Sequence, residues 1–292
     1  MARFIDELQR THSCGALREG DVGAEVVLFG WVASRRDHGG CIFIDLRDRD
    51  GITQVVFDEG IDLPSHGAAE AMRNEWVIGL RGRVRDRGTM RNPRMATGAI
   101  EVEVLETTVF NKAKPPPFEV SDDTSASEER RLTFRYIDLR RGPLQRTLRM
   151  RHRIYQATRR YFDDNGFTEV ETPLIVKYTP GGARNFLVPS RLHPGSFYAL
   201  AESPQLYKQL FMVAGFDRYF QIVKCFRDED LRLDRQLEFT QIDVEMSFVS
   251  QDDVFREIEG LVFTIWKEAL GVDLRERYPT GRFPQMPFDE SM

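Results

Sequence analysis

Apolar and polar residues alternate with a period of two over much of the first 110 residues, a pattern that predicts β-strands. Five strands and one short helix are expected there, the strands at 26–32, 41–46, 52–57, 76–84 and 100–104 and the helix at 68–74. The second half mixes helical and strand periods. Two amphipathic helices are expected at 145–165 and 252–270, with strands near 167–171, 197–201, 219–225 and 239–248. The pattern therefore predicts an all-β region followed by an α+β region.

The first region has the element order of an OB-fold β-barrel, five strands with a helix between the third and the fourth. Such barrels bind oligonucleotides on the face of the second and third strands. Three consecutive prolines in Lys112–Phe118 indicate a stiff linker, which a polar stretch follows. We therefore predict an OB-fold domain over 1–112, a linker or hinge over 113–140 and a separate α+β domain over 141–292.

Charged residues concentrate where two predicted strands of the second region meet, in Phe226–Arg232 and Arg235–Glu245. With a period of two, Arg227 and Glu229 share one face of the first strand. The matching face of the second strand carries Phe239, Gln241, Asp243 and Glu245. A guanidinium binds phosphate, a ring stacks on a base, and carboxylates hold a metal or an amine. This face is equipped for a nucleotide and a small charged substrate, although charged alternation is also typical of a solvated hairpin with salt bridges.

The composition restricts the class of protein. The chain has 292 residues, of which 41% are hydrophobic and 30% charged, enough for two domains and a sizeable core. No apolar run approaches the ~18 residues of a membrane span, and the charged N-terminal residues argue against a secretory signal. Cys14, Cys41 and Cys225 are widely spaced and fit neither a zinc site nor a disulfide framework. A cytoplasmic protein without membrane contact is therefore expected.

A basic segment stands out against the formal net charge of −5. Residues 80–95 hold six arginines and one acid, Asp86. The arginines from 81 to 87 occupy alternate positions, so a strand places them on one face. Such a face either follows the phosphates of a nucleic acid or belongs to a solvated edge strand protected by charge, and the sequence leaves both interpretations open.

Three segments of the second half carry a resemblance to a known family. Gly166–Pro173 is similar to motif 1 of the class II aminoacyl-tRNA synthetases, and Phe226–Glu229 with Arg235 and Phe239 is similar to motif 2. The run Ser203–Gln209 lies between them. With the OB-type domain in front, nearly the whole chain resembles the aspartyl-tRNA synthetases of the bacterial type. The resemblance implies an anticodon-binding OB-fold domain and the first part of a class II catalytic domain, which is built on an antiparallel sheet.

The resemblance implies a ligase reaction in two steps. ATP and L-aspartate form aspartyl-adenylate, and the aspartyl group then passes to the 3′ end of tRNA(Asp). Arg227 would be the catalytic residue, because it would hold the α-phosphate beside the reacting carboxylate. The positions that match ATP-binding residues of the family are Arg227, Asp228, Glu229, Gln236, Phe239 and Gln241. Mg²⁺ would bridge the phosphates of ATP, and no other metal site is expected in the chain.

A second set of positions matches the aspartate-binding residues of the family. They are Ser203, Gln205, Lys208, Arg227, Asp243 and Gly181. Lys208 is expected to bind the side-chain carboxylate of aspartate, which would disfavour asparagine. The family has a glutamate where this chain has Gly181, so its contact with the substrate amine is expected to be lost.

The OB-type domain matches the family at positions that contact the tRNA anticodon. They are Arg36, His38, Phe43, Gln54 and Glu101. Unstacked bases of an RNA loop are read by aromatic stacking and by contacts with base edges. The alternative for Phe43 is a place in the barrel core. His38 resembles the residue of members that charge both tRNA(Asp) and tRNA(Asn), and a solvated turn histidine is the alternative.

The chain also departs from the family pattern. Leu237 replaces a proline of motif 2, and the segment Gly-x-Gly-x-Gly-x-x-Arg of motif 3 is missing from residues 1–292. Residues 1–292 are therefore expected to be an inactive part of a ligase, with a non-catalytic tRNA-binding fragment or paralogue as the alternative. Because motif 1 builds a dimer interface in this class, a homodimer is expected.

Overall fold

The computed structural model describes residues 3–178 and 182–292. The chain divides into two compact units, Met1–Thr147 and Leu148–Met292. Within the described residues, no helix is both long enough and apolar enough to cross a membrane.

The first unit is built on five strands that close into a ring. The strands are β1 Glu25–Asp37, β2 Cys41–Arg47, β3 Ile52–Asp58, β4 Val77–Asp86 and β5 Ile100–Asn111. They pair in the order β1-β2-β3-β5-β4, and β1 also pairs with β4. The five predicted strands are therefore present. Because β4 is paired on both sides, the interpretation of arginines 81–87 as part of an edge strand is wrong.

The alternation along β2 shows how the ring forms its core. Ile42, Ile44 and Leu46 are fully buried and pack with apolar residues of the other four strands. Phe43 lies between two of them and is only half-buried. Because successive side chains of a strand point to opposite faces, Phe43 points away from the core. The alternative that placed Phe43 in the barrel core does not hold.

The helix of the first unit, α1, spans Leu63–Ala71 and begins earlier than the predicted 68–74. Asp62 caps its N-terminus by accepting a hydrogen bond of 3.1 Å from the backbone N–H of Ser65. Pro64 lies in the first turn, where its missing N–H costs nothing. These two residues are a local start signal that the apolar pattern alone does not show.

The helices and strands after residue 125 are mostly short. The helices are α2 Glu128–Thr133, α3 Arg135–Asp138, α4 Gly142–Asp164, α5 Gln205–Val213, α6 Gln251–Ile265 and α7 Phe288–Ser291. The strands are β6 Thr168–Glu169, β7 Ile175–Val176, β8 Leu187–Pro189, β9 Phe197–Leu200, β10 Arg218–Phe226 and β11 Glu238–Met246. One sheet has the order β11-β10-β6, and a smaller one has the order β7-β9-β8.

The long antiparallel pair of β10 and β11 has two different faces. On one face, Phe220 packs against Phe162 of α4 and Leu261 of α6. The rings of Phe162 and Phe220 are 4.7 Å apart, and Gly260 of α6 leaves room for the hydroxyl of Tyr161. Since Phe162 is fully buried, truncating it to alanine is expected to cost about 3–5 kcal/mol. Two helices therefore cover this face.

The opposite face of the pair carries polar residues in register. Tyr219 lies opposite Glu245, Gln221 opposite Asp243, Val223 opposite Gln241 and Cys225 opposite Phe239. Helix α5 lies on this side, where the ring of Phe211 is 5.4 Å from that of Tyr219. The predicted grouping of Phe239, Gln241, Asp243 and Glu245 on one face is confirmed.

Candidate functional site

A buried ammonium group lies between two carboxylates on the polar face of the β10–β11 pair. Lys208 Nζ is 2.9 Å from Asp243 Oδ1 and 3.3 Å from Glu245 Oε2. Lys208 belongs to α5, while Asp243 and Glu245 are two residues apart on β11 and therefore both face the helix. Glu245 is absent from the predicted binding residues, although its spacing from Asp243 was a usable signal.

Asp243 keeps one carboxylate oxygen free for a further hydrogen bond. Its Oδ2 atom is buried and has no hydrogen-bond partner among the described residues, and the whole residue is only 9% exposed. Burial raises the pKa of Asp243 above its usual range; the bond from Lys208 acts in the opposite direction, and Glu245 adds to the increase. An incoming ammonium group would supply the missing donor to Oδ2, and an incoming carboxylate would be attracted to Lys208.

The guanidinium of Arg227 lies over the ring of Phe239 at the other end of the same face. Arg227 Cζ is 5.1 Å from the ring centroid. The guanidinium Nε atom is buried and has no partner within residues 3–178 and 182–292, so it retains a donor for an anion. Strand β10 ends at Phe226, and the expectation that Arg227 and Glu229 share a strand face is wrong. The backbone N–H of Arg227 still donates to the carbonyl of Leu237 at 2.9 Å, which holds Arg227 beside β11.

Cys225 and Gln241 lie between the two cationic side chains. The thiol of Cys225 donates to Gln241 Oε1 at 3.1 Å. Burial is the main cause that raises the pKa of Cys225 to about 11; Asp243 raises it further, and Arg227 and Lys208 lower it. Both cationic side chains therefore lie close enough to this buried thiol to favour its charged form.

The remaining predicted residues of the second unit lie between β10 and β11 and at the start of α5. Asp228, Glu229 and Gln236 are exposed in the loop between β10 and β11. Ser203 is half-buried before α5, and Gln205 is the exposed first residue of that helix. Among the described residues, none of these five forms a hydrogen bond or ion pair with Lys208 or Arg227. Gly181 lies outside the described residues.

No group of three or more His, Cys, Asp or Glu side chains in residues 3–178 and 182–292 is arranged to hold a metal ion. The two carboxylates of the polar face, those of Asp243 and Glu245, are directed at Lys208. The chemistry that this face offers is therefore the binding of anions by Lys208 and Arg227, with Asp243 as an acceptor for an amine.

The predicted anticodon residues form one surface on the first unit. Arg36 Nη2 donates to Asp45 Oδ1 at 2.8 Å and to Gln54 Oε1 at 3.1 Å. Gln54 Nε2 in turn donates to Glu101 Oε2 at 2.7 Å. Phe43 lies opposite Arg36 in the β1–β2 register, and its ring meets the ring of His38 edge to face at 5.6 Å. All five predicted residues are thus brought together.

This network continues through residues outside the predicted anticodon set, among them Arg85 of the basic segment. Arg85 Nε donates to Glu101 Oε1 at 2.8 Å, and Arg85 Nη1 donates to Glu103 Oε1 at 2.8 Å. At the other end, Ser34 Oγ donates to Asp45 Oδ2 at 2.6 Å. The network therefore includes side chains of all five strands. The arginines of β4 are paired with glutamates of the neighbouring strands, so their charge is partly balanced locally.

Comparison with known proteins gives a family for each of two segments of the chain. Residues 127–292 match the tRNA synthetases of class II (D, K and N), and residues 26–110 match the OB-fold nucleic acid binding domain. The predicted fold, an OB-fold domain followed by an α+β domain of the class II synthetase type, is confirmed.

The chain is also similar to individual proteins. The aspartate–tRNA(Asp/Asn) ligase of Anaeromyxobacter sp. (strain K) is 62% identical over 292 residues, which are 100% of this chain and 48% of that protein. The enzyme of the same name from Aquifex aeolicus is 56% identical over 271 residues, 92% of this chain and 45% of that protein. The chain therefore spans about half the length of the curated relatives it matches.

Among solved structures, asparaginyl-tRNA synthetase from Pyrococcus horikoshii complexed with asparaginyl-adenylate superposes with a TM-score of 0.81 at 23% identity, over 97% of this chain and 66% of that one. At this identity the likeness establishes the fold. The segment that matches the family model, residues 127–292, includes Lys208 and Arg227. This match shows that the chain belongs to the class II tRNA synthetases of the D, K and N group.

Proposed function

We propose that this chain is part of an aspartate–tRNA ligase, which activates L-aspartate with ATP and transfers the aspartyl group to the 3′ end of tRNA(Asp). The observation that carries the proposal is the shared face on which buried Lys208 meets Asp243 while Arg227 stacks on Phe239. The names of the similar ligases support it and extend it to tRNA(Asn). Exposed His38 of the first unit, next to Phe43, is in keeping with that wider tRNA specificity.

In the first step, an oxygen of the α-carboxylate of aspartate attacks the α-phosphorus of ATP. A new P–O bond forms, and the bond from the α-phosphorus to the bridging oxygen breaks, so that pyrophosphate leaves with the electron pair. Both reactants are anions, and the guanidinium of Arg227 would neutralise their repulsion through its unpartnered Nε. Catalysis then consists of positioning and charge stabilisation, without a nucleophile of the protein. With Arg227 over one side of the Phe239 ring, adenine would stack on the other.

Selection of aspartate would depend on Lys208. Its ammonium group would bind the side-chain carboxylate of the substrate, and Asp243 Oδ2 would accept a hydrogen bond from the substrate amine. Asparagine presents an uncharged amide to the same ammonium group. A buried charged site that loses its partner rejects the analogue strongly.

In the second step, a ribose hydroxyl at the 3′ end of the tRNA attacks the carbonyl carbon of aspartyl-adenylate. The bond from this carbon to the phosphate oxygen breaks, AMP leaves with the electron pair, and the hydroxyl proton passes to water. Mg²⁺ would enter with the ATP of the first step, because phosphate oxygens are ligands that it prefers. The first unit would hold the anticodon loop through Arg36, Phe43, Gln54 and Glu101.

The proposal includes a cytoplasmic homodimer. Leu148 of α4 and Ile175 of β7 are 52% and 58% exposed. Ile175 lies two residues after Gly166–Pro173, the segment that resembles motif 1, and Leu148 lies on the helix that precedes this segment. Apolar side chains exposed on one segment are typical of an interface with another protein chain.

Calorimetry on residues 1–292 tests the proposed function. Aspartate is expected to bind in the presence of a non-hydrolysable ATP analogue, asparagine to bind at least tenfold more weakly, and Lys208→Met to abolish aspartate binding. Lys224→Met is the matched control, because Lys224 lies on β10 in an exposed pair with Glu238. Equal binding of asparagine, or aspartate binding by Lys208→Met, would overturn the proposal. Binding of stem-loop RNA without any binding of ATP or aspartate would favour a non-catalytic tRNA-binding protein.

A further inference from the structure

The guanidinium of Arg36 is held in one orientation although its side chain is 46% exposed. Both hydrogen bonds that hold it start from Nη2, one to Asp45 Oδ1 and one to Gln54 Oε1. A guanidinium has five N–H donors in one plane. Two of them are used in the part of the chain that the structure describes, so the three donors on Nε and Nη1 remain for a ligand at the surface.

Gln54 accepts from Arg36 only because its amide is fixed from the other end. Its Nε2 donates to Glu101 Oε2 at 2.7 Å, and the residue is 6% exposed. A flipped amide would place its carbonyl oxygen against the Glu101 carboxylate and its NH₂ group against the guanidinium. Both contacts are repulsive, so the carboxylate of Glu101 determines which way the amide of Gln54 points.

Glu101 in turn is held by Arg85. Arg85 Nε donates to Glu101 Oε1 at 2.8 Å, and Arg85 lies opposite Glu101 in the β4–β5 register. A second bond of 2.8 Å, from Arg85 Nη1 to Glu103 Oε1, fixes the plane of the guanidinium. Glu101 is 9% exposed, so its carboxylate needs these bonds once it is removed from water.

We propose that Arg85 is a positioning residue for base recognition by the first unit. It acts through Glu101 and Gln54 on the exposed guanidinium of Arg36, three links away in the network. Without Arg85, Glu101 keeps the hydrogen bond from Gln54 and a pair with Arg87 at 3.9 Å, a distance too long for a hydrogen bond. The Glu101 carboxylate then turns, the amide of Gln54 flips, and Arg36 loses one of its two acceptors. A guanidinium that moves binds any nearby acceptor, so discrimination between bases falls more than affinity does. The inference rests on the proposed function in one respect, that the first unit reads an RNA loop.

The test compares Arg85→Met with Arg83→Met. Arg83 is two residues away on the same strand face and pairs with Glu25, so its removal deletes the same charge without touching Glu101. The probe is a synthetic stem-loop RNA whose loop carries the triplet GUC, complementary to an aspartate codon, together with stem-loops that each carry one replaced base. Fluorescence anisotropy gives the ratio of Kd values for replaced and original triplets.

Arg85→Met is expected to reduce this ratio by about tenfold, equivalent to about 1.4 kcal/mol. Arg83→Met is expected to weaken all the RNAs alike and to leave the ratio unchanged. In an Arg36→Met background, Arg85→Met is expected to have no further effect on the ratio, because the residue through which it acts is gone. Arg85→Lys is expected to reduce the ratio of Kd values less than Arg85→Met does, since an ammonium group can still pair with Glu101.

A second measurement needs no RNA and keeps the test valid if one variant folds poorly. The Arg36 Nε–H signal in NMR is expected to report a more mobile side chain in Arg85→Lys and Arg85→Met, and an unchanged one in Arg83→Met. If folded Arg85→Met keeps the wild-type ratio of Kd values for replaced and original triplets, the inference is overturned, while the proposal that the first unit reads an RNA loop still stands. A wild-type chain that does not distinguish the triplets would instead overturn the RNA-reading part of the proposed function.

Discussion

Lys208 Nζ and Asp243 Oδ1 are 2.9 Å apart, and each residue is only 9% exposed. Glu245 adds a second carboxylate at 3.3 Å, so one ammonium group serves two acids in a largely dry environment. Removing one partner of a buried pair leaves an uncompensated charge, which costs far more than the net contribution of the pair itself. The same arrangement that would select a substrate carboxylate is therefore important for stability.

Lys208→Met is expected to lower the free energy of unfolding by about 3–5 kcal/mol, because Asp243 and Glu245 lose their common cation. Urea denaturation followed by circular dichroism measures it. Lys224→Met removes a lysine from an exposed pair with Glu238, so it should cost at most about 1 kcal/mol. Adding Asp243→Asn to Lys208→Met should recover part of the loss. Equal stability of the two lysine variants would contradict this account.

Arg227→Lys is expected to weaken ATP binding by at least about tenfold, or about 1.4 kcal/mol. A lysine neither stacks on Phe239 nor offers the planar donors of a guanidinium. Calorimetry with ATP measures the effect. Phe239→Leu should cause a similar loss, and the double variant should lose less than the sum, since the two side chains are in contact. The control is Arg256→Lys on α6, and unchanged ATP affinity in Arg227→Lys would be evidence against the proposed nucleotide site.

The three cysteines are expected to differ in reactivity. Burial raises the pKa of all three, that of Cys225 to about 11, and the thiolate is the reactive form. Cys14 and Cys225 are fully buried, whereas Cys41 is half-buried. Titration with a chromogenic disulfide at neutral pH should therefore label Cys41 slowly in the native protein and all three thiols in denaturant. Native labelling that persists in Cys41→Ser would show that a buried thiol is accessible.

Much of the polar face could be predicted from the sequence because its order is local. The period-2 spacing of Phe239, Gln241, Asp243 and Glu245 fixes their common side wherever the strand lies. The contact of Lys208 with Glu245 could not be predicted, because it depends on where α5 packs. The same holds for the end of β10 at Phe226, since the backbone N–H of Asp228 leaves the strand to donate to the carbonyl of Arg184.

The first unit shows the same division between local and long-range information. The five strands follow from alternation, and the early start of α1 follows from Asp62 and Pro64, a local signal that lies outside the apolar pattern. The roles of Asp45 and Arg85 need the pairing of β1 with β2 and of β4 with β5, which alternation does not specify. Register and helix placement, rather than the elements themselves, are what the sequence leaves open.

Ile175→Asp is expected to convert a homodimer into a monomer, because it places a charge on an apolar side chain that is 58% exposed. Sedimentation velocity at micromolar concentration measures the change. Met90→Asp, at an exposed residue of the first unit, is the control and should remain dimeric. A monomeric wild-type protein under these conditions would refute the proposed homodimer.

Asp253 is expected to stabilise the start of α6 in a pH-dependent way. Its carboxylate accepts hydrogen bonds from the backbone N–H and the hydroxyl of Ser250, both at 2.8 Å, and from Arg256. The bonds from Ser250 are the main cause that lowers the pKa of Asp253 from 3.8 to about 2. Because the folded state then binds the proton less tightly than the unfolded state, the stabilisation is fully present above pH 3.8 and is lost as the pH falls to about 2.

Comparing urea denaturation of wild type and Asp253→Asn at several pH values measures this effect. The stability difference between the two should be constant at neutral pH and shrink as Asp253 becomes protonated, because the protonated acid resembles the amide. Asp252→Asn is the matched control, since it removes a charge from the same helical turn and leaves the bonds to Ser250 intact. Asp252→Asn should lower the free energy of unfolding at neutral pH by less than Asp253→Asn does, because the interaction of Asp252 with the helix dipole is exposed to solvent. If the difference in free energy of unfolding between wild type and Asp253→Asn stays the same down to about pH 2, the capping carboxylate is not the source of the stabilisation.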